Sequence, residues 1–124
     1  MMTERNGMEI RERRAGTVVV VDVVGRMVLT EGESDSLLRD RILAFVDEGS
    51  LHVVVNLSQV GQVDTSGLKQ LLSAHLTASR RGARLLLANP TRRIRDVLAI
   101  TRLNTLFEVF ETEAEALESL AART

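Results

Sequence analysis

The sequence of 124 residues contains no cysteine, tryptophan or tyrosine, and it has one proline and three phenylalanines. Without cysteine the chain can form neither a disulfide nor a thiolate metal site. Three aromatic side chains are too few to stack single-stranded nucleic acid, and a formal net charge of −1 attracts neither nucleic acid nor an anionic membrane. The longest apolar run, 17–25, is interrupted by Asp22 and is too short to insert into a membrane.

The length fits one domain with a substantial core, and 44% hydrophobic with 27% charged residues is typical of globular proteins. No apolar signal region follows the charges at the N-terminus, which predicts a cytoplasmic protein. We interpret residues 1–7 as a short flexible tail and residues 8–124 as the single domain.

Sequence signals of catalysis are also missing. His52 and His75 have no metal-ligand partner at usable spacing, and there is neither a Walker A loop, a dinucleotide-binding glycine motif nor a G-x-S-x-G elbow. We therefore predict no enzymatic activity, no metal and no cofactor. A small enzyme or ligand-binding domain built on Asp64 is the weakest hypothesis, because no acid–base partner for this carboxylate is evident.

Hydrophobic periodicity predicts the order β-β-α-β-α-β-α-β-α. Near-continuous apolar strands occur at Thr17–Val24, "LHVVVNL" and "ARLLLAN", and they alternate with helical patterns. A weaker edge strand is expected at Met8–Arg13, and "LFEVF" predicts a short last strand. This pattern indicates an α/β domain with a mixed sheet of four or five strands and with helices mainly on one face.

Local signals predict the ends and faces of the helices. Thr30 or Ser34 is expected to cap the first helix, and Thr112, with Glu115 three residues later, the last one. A helix is predicted at Ser66–Arg81. The side chains on one of its faces are expected to point toward the core: Leu68, Leu71, Leu72, His75 and Leu76. We expect Leu72 in the core and Leu68 near the start of the helix, in the core or at an interface.

The polar turn Asp64-Thr65-Ser66-Gly67 separates the most apolar strand from this helix. Asp, Thr and Ser are preferred N-cap residues and glycine allows a tight turn, so capping alone accounts for the composition. Strand-to-helix turns of open α/β sheets are also where ligand and partner sites gather. The residues alone leave both interpretations open.

The segment "NLSQVGQVDTSGLKQLL" resembles the signature of the STAS domain, the fold of anti-sigma factor antagonists. In that signature a hydrophobic strand and Asp/Asn-Leu precede Asp-Ser-Ser/Thr-Gly-Leu at a helix start. The stretches "VVVVDVVGRM", "RRGARLLLANP" and "ITRLNTLFEVF" are similar to three further segments of the family. The resemblance covers nearly the whole chain and implies a single STAS-like domain.

The resemblance implies a function as an anti-sigma factor antagonist that acts by partner switching. Such a protein binds an anti-sigma factor, a serine/threonine kinase of the histidine-kinase-like ATPase type, and is released on phosphorylation. By position Thr65 would be the phosphoacceptor and Ser66 the second candidate. The implied partner-binding residues are Asp64, Thr65, Ser66, Gly67 and Leu68. The alternative is a non-phosphorylated STAS adaptor for a stress-sensing scaffold or for the ATPase of an ABC transporter.

Charge is distributed unevenly in the second half of the chain. The charged residues from Arg80 to Arg102 are seven arginines and one acid, Asp96, whereas all charged residues from Glu108 to Glu118 are acidic. Surface charge of this kind usually forms a solvated face. A docking patch for an acidic partner is the second interpretation, and the residues concerned are Arg80, Arg81, Arg84, Arg92, Arg93 and Arg95.

Overall fold

The computed structural model describes residues 8–27 and 37–121, which form one five-stranded sheet with helices on both faces. The strands lie in the order β1-β2-β3-β4-β5; β1 is antiparallel to β2, and the other neighbours are parallel. This confirms the predicted α/β fold and element order. The elements are β1 Met8–Ala15, β2 Val18–Met27, α1 Leu37–Asp47, β3 His52–Val63, α2 Thr65–Arg80, β4 Arg84–Ala88, α3 Arg92–Thr101, a 3-10 helix Leu103–Thr105, β5 Glu108–Phe110 and α4 Glu113–Ala121.

The central strands are covered on both faces, which explains their continuous valine and leucine runs. Alternate residues such as Val19, Val21 and Val53 face one core, which is completed by α1, α2 and α3. The residues between them, among them Val20 and Val54, face a smaller core under α4. Among the described α-helices, three therefore lie on one face and one on the other, which agrees with the prediction of helices mainly on one face.

Several predicted boundaries differ from the structure or lie outside the described residues. The expected N-caps Thr30 and Ser34, and the tail at residues 1–7, lie outside them. Within the described part, Thr112 caps the last helix as predicted, since its Oγ1 accepts the backbone N–H of Glu115 at 3.1 Å. The two-residue turn between β1 and β2 contains Gly16 at φ +65°, a conformation that glycine adopts without strain.

Strand β3 is longer than the segment "LHVVVNL" that predicted it. Beyond Leu57 it continues to Val63 through mostly exposed positions, with only Val60 buried among them, because it remains paired with β2 up to the pair Met27–Val63. Its pairing with β4 ends earlier, at Asn56–Ala88. No described strand flanks β3 on that side from Leu57 onward, and two register irregularities interrupt its pairing with β2 there. Pairing between strands distant in sequence thus overrides the local polar pattern.

The prediction for the buried face of α2 is partly wrong. Leu68 and Leu71 are buried as expected, but Leu72 is only half-buried and Leu76 is 43% exposed. The buried side of the helix consists of Gly67, Leu68, Gln70, Leu71, Ala74 and Ala78. Glycine and alanine at three of these positions let the helix approach the sheet closely, whereas Leu72 and Leu76 lie on a neighbouring side of the helix, away from the centre of this contact. The buried Gln70 Oε1 accepts the backbone N–H of Leu38 at 3.3 Å, at the described start of α1.

The sole described helix on the second face, α4, is held at its start by a polar network. The guanidinium of Arg13 binds both oxygens of Asp22, at 2.6 and 2.8 Å, and both oxygens of Glu113, at 3.1 and 2.7 Å. Asn56 Nδ2 donates to Glu113 Oε1 at 2.9 Å and to Asn89 Oδ1 at 3.3 Å. Side chains from three strands, and from the residue that follows β4, therefore converge on the first residue of α4.

These contacts shift the ionisation of the groups involved. The hydrogen bond from Arg13 lowers the pKa of Glu113 below its usual value, and the hydrogen bond from Asn56 acts in the same direction against partial burial. Hydrogen bonds to Asp22 and then to Glu113 raise the pKa of Arg13 further above its ordinary range. Both charges are therefore stabilised in the folded state at neutral pH.

Leu71 and Leu72 provide a direct test of the helix face. Leu71→Ala should lower the free energy of unfolding by about 2–5 kcal/mol because it empties a fully buried site. Leu72→Ala should cost clearly less, since that side chain is half-buried. Chemical denaturation of both variants measures the difference, and an equal or reversed order would contradict the described face.

Removing the charge of Glu113 should destabilise the protein mainly at neutral pH. A carboxylate whose pKa is lowered on folding adds stability above its unfolded pKa of about 4.3, and this stability is lost as pH falls through the folded pKa. We expect Glu113→Gln to lower the free energy of unfolding by roughly 0.5–2 kcal/mol at pH 7, with the deficit shrinking below about pH 4.

Glu115→Gln is the matched control for this experiment. Glu115 is exposed on the same helix, and its side chain forms no ion pair with a described residue. Denaturation curves from pH 3 to 8, a range chosen around the unfolded carboxyl pKa of about 4.3, provide the measurement. A deficit of Glu113→Gln that is constant over this range would show that packing, rather than the ion pair, holds α4.

Candidate functional site

The Asp64–Gly67 turn lies where β3 ends and α2 begins, beside the last residue of β2. Val63 is paired with Met27 in the sheet, and the backbone N–H of Asp64 donates to the carbonyl oxygen of Met27 at 3.3 Å. Helix α2 then starts at Thr65, one residue earlier than predicted. The turn is thus attached to the carboxyl edge of the parallel strands, the edge at which sites of open α/β sheets gather.

Asp64 acts as the N-cap of α2. Its backbone is extended, with φ −128° and ψ −173°, and its Oδ1 accepts the backbone N–H of Gly67 at 2.9 Å. Its carbonyl oxygen accepts the N–H of Leu68 at 3.0 Å, which closes the first helical turn. The carboxylate therefore satisfies one of the free amides at the helix start and complements the positive end of the helix dipole. The capping interpretation of Asp64 holds in the structure.

Gly67 is required by the close packing of the helix start against β2. A Cβ atom at this position would lie 1.9 Å from the carbonyl oxygen of Met27 and 2.8 Å from its carbonyl carbon. Both atoms belong to the backbone of a fully buried residue, so a side-chain rotation cannot relieve the overlap. The glycine thus does more than tighten the turn: it sets the distance between α2 and β2.

The two hydroxyl residues of the turn differ in accessibility. Thr65, the first residue of α2, is exposed, and its hydroxyl makes no hydrogen bond to a described residue, whereas Ser66 is half-buried. Asp64 is exposed, while Gly67 and Leu68 are buried, Leu68 with 3% of its surface accessible. Lys69 is exposed four residues after Thr65, which places both on the same side of the helix.

The remaining candidate residues lie apart from the turn. His75 stacks edge-to-face on Phe107 with ring centroids 5.1 Å apart, and His52 starts β3 at the opposite edge of the sheet. Within residues 8–27 and 37–121, no group of three acidic or histidine side chains could hold a metal ion. No described helix is both long and apolar enough to span a bilayer. That the chain lacks enzymatic activity and a cofactor stays a prediction.

Neither the role of Met27 nor the network around Asn56 could be recognised from the sequence. Met27 contributes its backbone carbonyl, which any residue carries, and Gly67 was interpreted only as a residue that tightens the turn. Asn56, Asn89 and Glu113 meet across long sequence separations. Asn89 has a positive φ of 54°. Asparagine tolerates this conformation better than most residues, so its presence is a weak sequence signal for the turn after β4.

The sequence profile of the STAS domain family matches residues 10–116 of the chain. The match includes β3, the Asp64–Gly67 turn and the whole of α2, with the geometry described above. The chain therefore belongs to the STAS domain family. The broader assignment of residues 8–124 to the domain stays a prediction.

Two curated relatives show the range of proteins that contain this domain. The chain is 29% identical over 79 residues to a candidate anti-sigma factor antagonist of Thermotoga neapolitana. This alignment covers 64% of this chain and 70% of the relative. It is 30% identical over 101 residues to sulfate transporter 3.1 of Arabidopsis thaliana, covering 68% of this chain but 15% of the transporter. The family therefore includes proteins of different function.

Solved structures share the fold. An anti-sigma factor antagonist from Mycobacterium paratuberculosis superposes with a TM-score of 0.75 at 21% identity, with 95% of this chain and 97% of that chain covered. The phosphorylated form of the Bacillus cell fate determinant SpoIIAA superposes with a TM-score of 0.66 at 19% identity, with 90% and 99% covered. The unphosphorylated form of SpoIIAA gives 0.74 at 19% identity, with 92% and 97% covered.

Gly67→Ala should destabilise the protein although alanine favours a helix. The new Cβ would force α2 away from β2, and such overpacking costs roughly 1–3 kcal/mol, more than the helix propensity gain of about 1 kcal/mol. Gly61→Ala is the matched control, since its Cβ would meet the Gly25 carbonyl oxygen at an ordinary 3.9 Å. Thermal denaturation compares the two, and a midpoint of Gly67→Ala at or above that of the parent would contradict the described packing.

Proposed function

We propose that the protein is an anti-sigma factor antagonist that acts by partner switching, with Thr65 as the phosphoacceptor. One observation carries the proposal: Thr65 is exposed at the first position of α2, and its hydroxyl makes no hydrogen bond to a described residue. The cap by Asp64 and the contact of Gly67 with Met27 hold that backbone in place. A kinase can reach the hydroxyl without unfolding the turn. Ser66 is the second candidate, and its partial burial makes it the less accessible one.

Phosphorylation of Thr65 would change the free protein and the complex differently. A phosphate brings about −1.5 to −2 charges at pH 7. In the free protein it would face solvent, at the positive end of the α2 dipole and on the same side as Lys69. In a protein interface the same charge would have to lose its hydration, which is costly without a basic partner. This asymmetry shifts the binding equilibrium toward release.

The proposed partner surface is centred on the turn and continues along α2. Asp64, Thr65 and Ser66 would contact the partner, whereas the buried Gly67 and Leu68 would hold the turn in shape. A shallow groove follows on the outer side of the helix, and it contains the half-buried Leu72 and the exposed Leu76. Apolar surface beside a polar rim is typical of protein interfaces. The groove is lined by Lys69, Leu72, Ser73, Leu76, Thr77 and Arg80.

The comparisons support the class of partner. The Thermotoga neapolitana relative and the mycobacterial structure are both described as anti-sigma factor antagonists, and SpoIIAA is known in phosphorylated and unphosphorylated forms. We propose that the partner of this chain is an anti-sigma factor that is also a serine/threonine kinase of the histidine-kinase-like ATPase type. The interaction would take place in the cytoplasm, and the chain itself would catalyse no reaction.

A second function is favoured by the relationship to a plant sulfate transporter. In that protein the STAS domain is a small part of a transporter chain. The present chain could serve as a non-phosphorylated adaptor, either in a stress-sensing scaffold or on the ATPase of an ABC transporter. The Asp64 cap and the Gly67 contact would then only shape a fixed binding surface, and the Thr65 hydroxyl would have no regulatory role.

Substitutions at Thr65 distinguish the two functions. The purified chain is incubated with the anti-sigma kinase of the same genome and ATP, and peptide mapping locates the phosphate, which we expect on Thr65. Thr65→Ala should bind the kinase but remain unmodified. Thr65→Glu should weaken binding roughly ten- to hundredfold, about 1.4–2.8 kcal/mol, because one carboxylate only partly imitates a phosphate. Isothermal titration calorimetry measures the affinities.

Ser79→Glu provides the charge-matched control. Ser79 is exposed near the other end of α2, so this variant adds the same charge far from the turn and should bind like the parent. Phosphate found only on Ser66 would move the switch by one residue. The absence of phosphate from both residues, together with unchanged binding of Thr65→Glu, would refute the switch and favour the adaptor.

A further inference from the structure

The structure divides the arginines between Arg80 and Arg95 into two groups. Three are paired with carboxylates of the same chain: Arg81 with Asp47, Arg84 with Glu108 and Arg95 with Glu111. Arg80, Arg92 and Arg93 are exposed and form no ion pair with a described residue. The paired arginines therefore have a structural role on the protein surface. Surface ion pairing does not explain the other three arginines.

The unpaired arginines at 92 and 93 occupy positions that are unfavourable for the fold. Thr91 caps α3, its Oγ1 accepting the N–H of Ile94 at 3.3 Å, so Arg92 and Arg93 are the first two residues of the helix. Positive side chains at a helix N-terminus oppose the helix dipole, whereas Arg80, in the last turn of α2, complements it. Stability thus accounts for Arg80 but not for Arg92 and Arg93.

Arg92 and Arg93 belong to a basic groove, which we define by its lining residues Arg92, Arg93, Asp96 and Val97. The single carboxylate of Asp96 forms no ion pair with either arginine, and the groove carries a net positive charge. Helix α3 follows β4 as α2 follows β3, and these are neighbouring parallel strands. The basic groove and the Thr65 turn therefore lie toward the same edge of the sheet.

We propose that the basic groove docks an acidic surface of the anti-sigma factor, as a second contact beside the Thr65 turn. The inference rests on the proposed function for the identity of the partner. Two guanidinium groups that pair with no described carboxylate match carboxylates of a partner in both charge and geometry. A nucleic acid fits less well, because the whole chain has a net charge of −1 and only three aromatic residues. Docking by these arginines would account for positive charges at a helix start that the dipole of α3 disfavours.

Charge reversal at the groove separates binding from stability. Arg92→Glu and Arg93→Glu should each weaken binding of the purified anti-sigma factor by roughly tenfold or more and reduce its salt dependence. The same changes should leave the thermal midpoint equal or higher, since acidic residues suit a helix start. Asp96→Asn should strengthen binding, because it removes the carboxylate from the groove. Arg102→Glu is the matched control: this exposed arginine lies at the opposite end of α3, and the variant should bind within about twofold of the parent.

Calorimetric titration at low and high salt gives the affinities, and thermal denaturation gives the midpoints. Unchanged binding of Arg92→Glu and Arg93→Glu, while Thr65→Glu loses affinity, would overturn the docking proposal and leave the switch intact. A wild-type chain that binds no anti-sigma factor of its genome would overturn both. Two other uses of the groove, self-association and binding to duplex DNA, are measured for the parent and for Arg93→Glu. If Arg93→Glu loses either interaction but still binds the anti-sigma factor, the arginines serve that other interaction and the proposal is overturned.

Discussion

The close approach of Gly67 to the carbonyl group of Met27 fixes the position of α2 relative to the central sheet. At this short distance the buried side of the helix combines small residues, Ala74 and Ala78, with larger ones such as Leu71. The same contact holds the turn at the end of β3, where Asp64 can cap the helix and Thr65 faces solvent. The packing of one backbone against another thus determines which hydroxyl of the turn is exposed.

Much of the fold could be predicted because its strongest signals are local. Continuous valine and leucine runs identified the buried strands, and helical periodicity identified what lies between them. Leu68 and Leu71 were placed correctly, but Leu72 and Leu76 were not: hydrophobicity alone does not show which side of a helix meets the sheet, and Leu72 is half-buried while Leu76 is exposed. The polar end of β3 was missed because its strand conformation depends on pairing with β2.

The position of the candidate site could be predicted from the sequence, but the contacts that hold it could not. The order Asp64-Thr65-Ser66-Gly67 already pointed to a capped helix start. Which arginines are paired, however, depends on carboxylates far along the chain: Arg81 binds Asp47 and Arg84 binds Glu108. Partners so far apart in sequence leave no local pattern. Like charges that are close in sequence therefore resemble one cluster, and only the structure shows which of them are paired.

The overhang of β3 beyond β4 has a consequence for the behaviour of the protein at high concentration. From Leu57 to Val63 one side of the strand has no neighbouring strand among the described residues, and an open strand edge is a template for aggregation. The two irregularities in its pairing with β2, and the glycine at 61, break the regular spacing that another chain would need. A long strand can therefore extend to the turn while its own irregular backbone discourages the addition of a foreign strand.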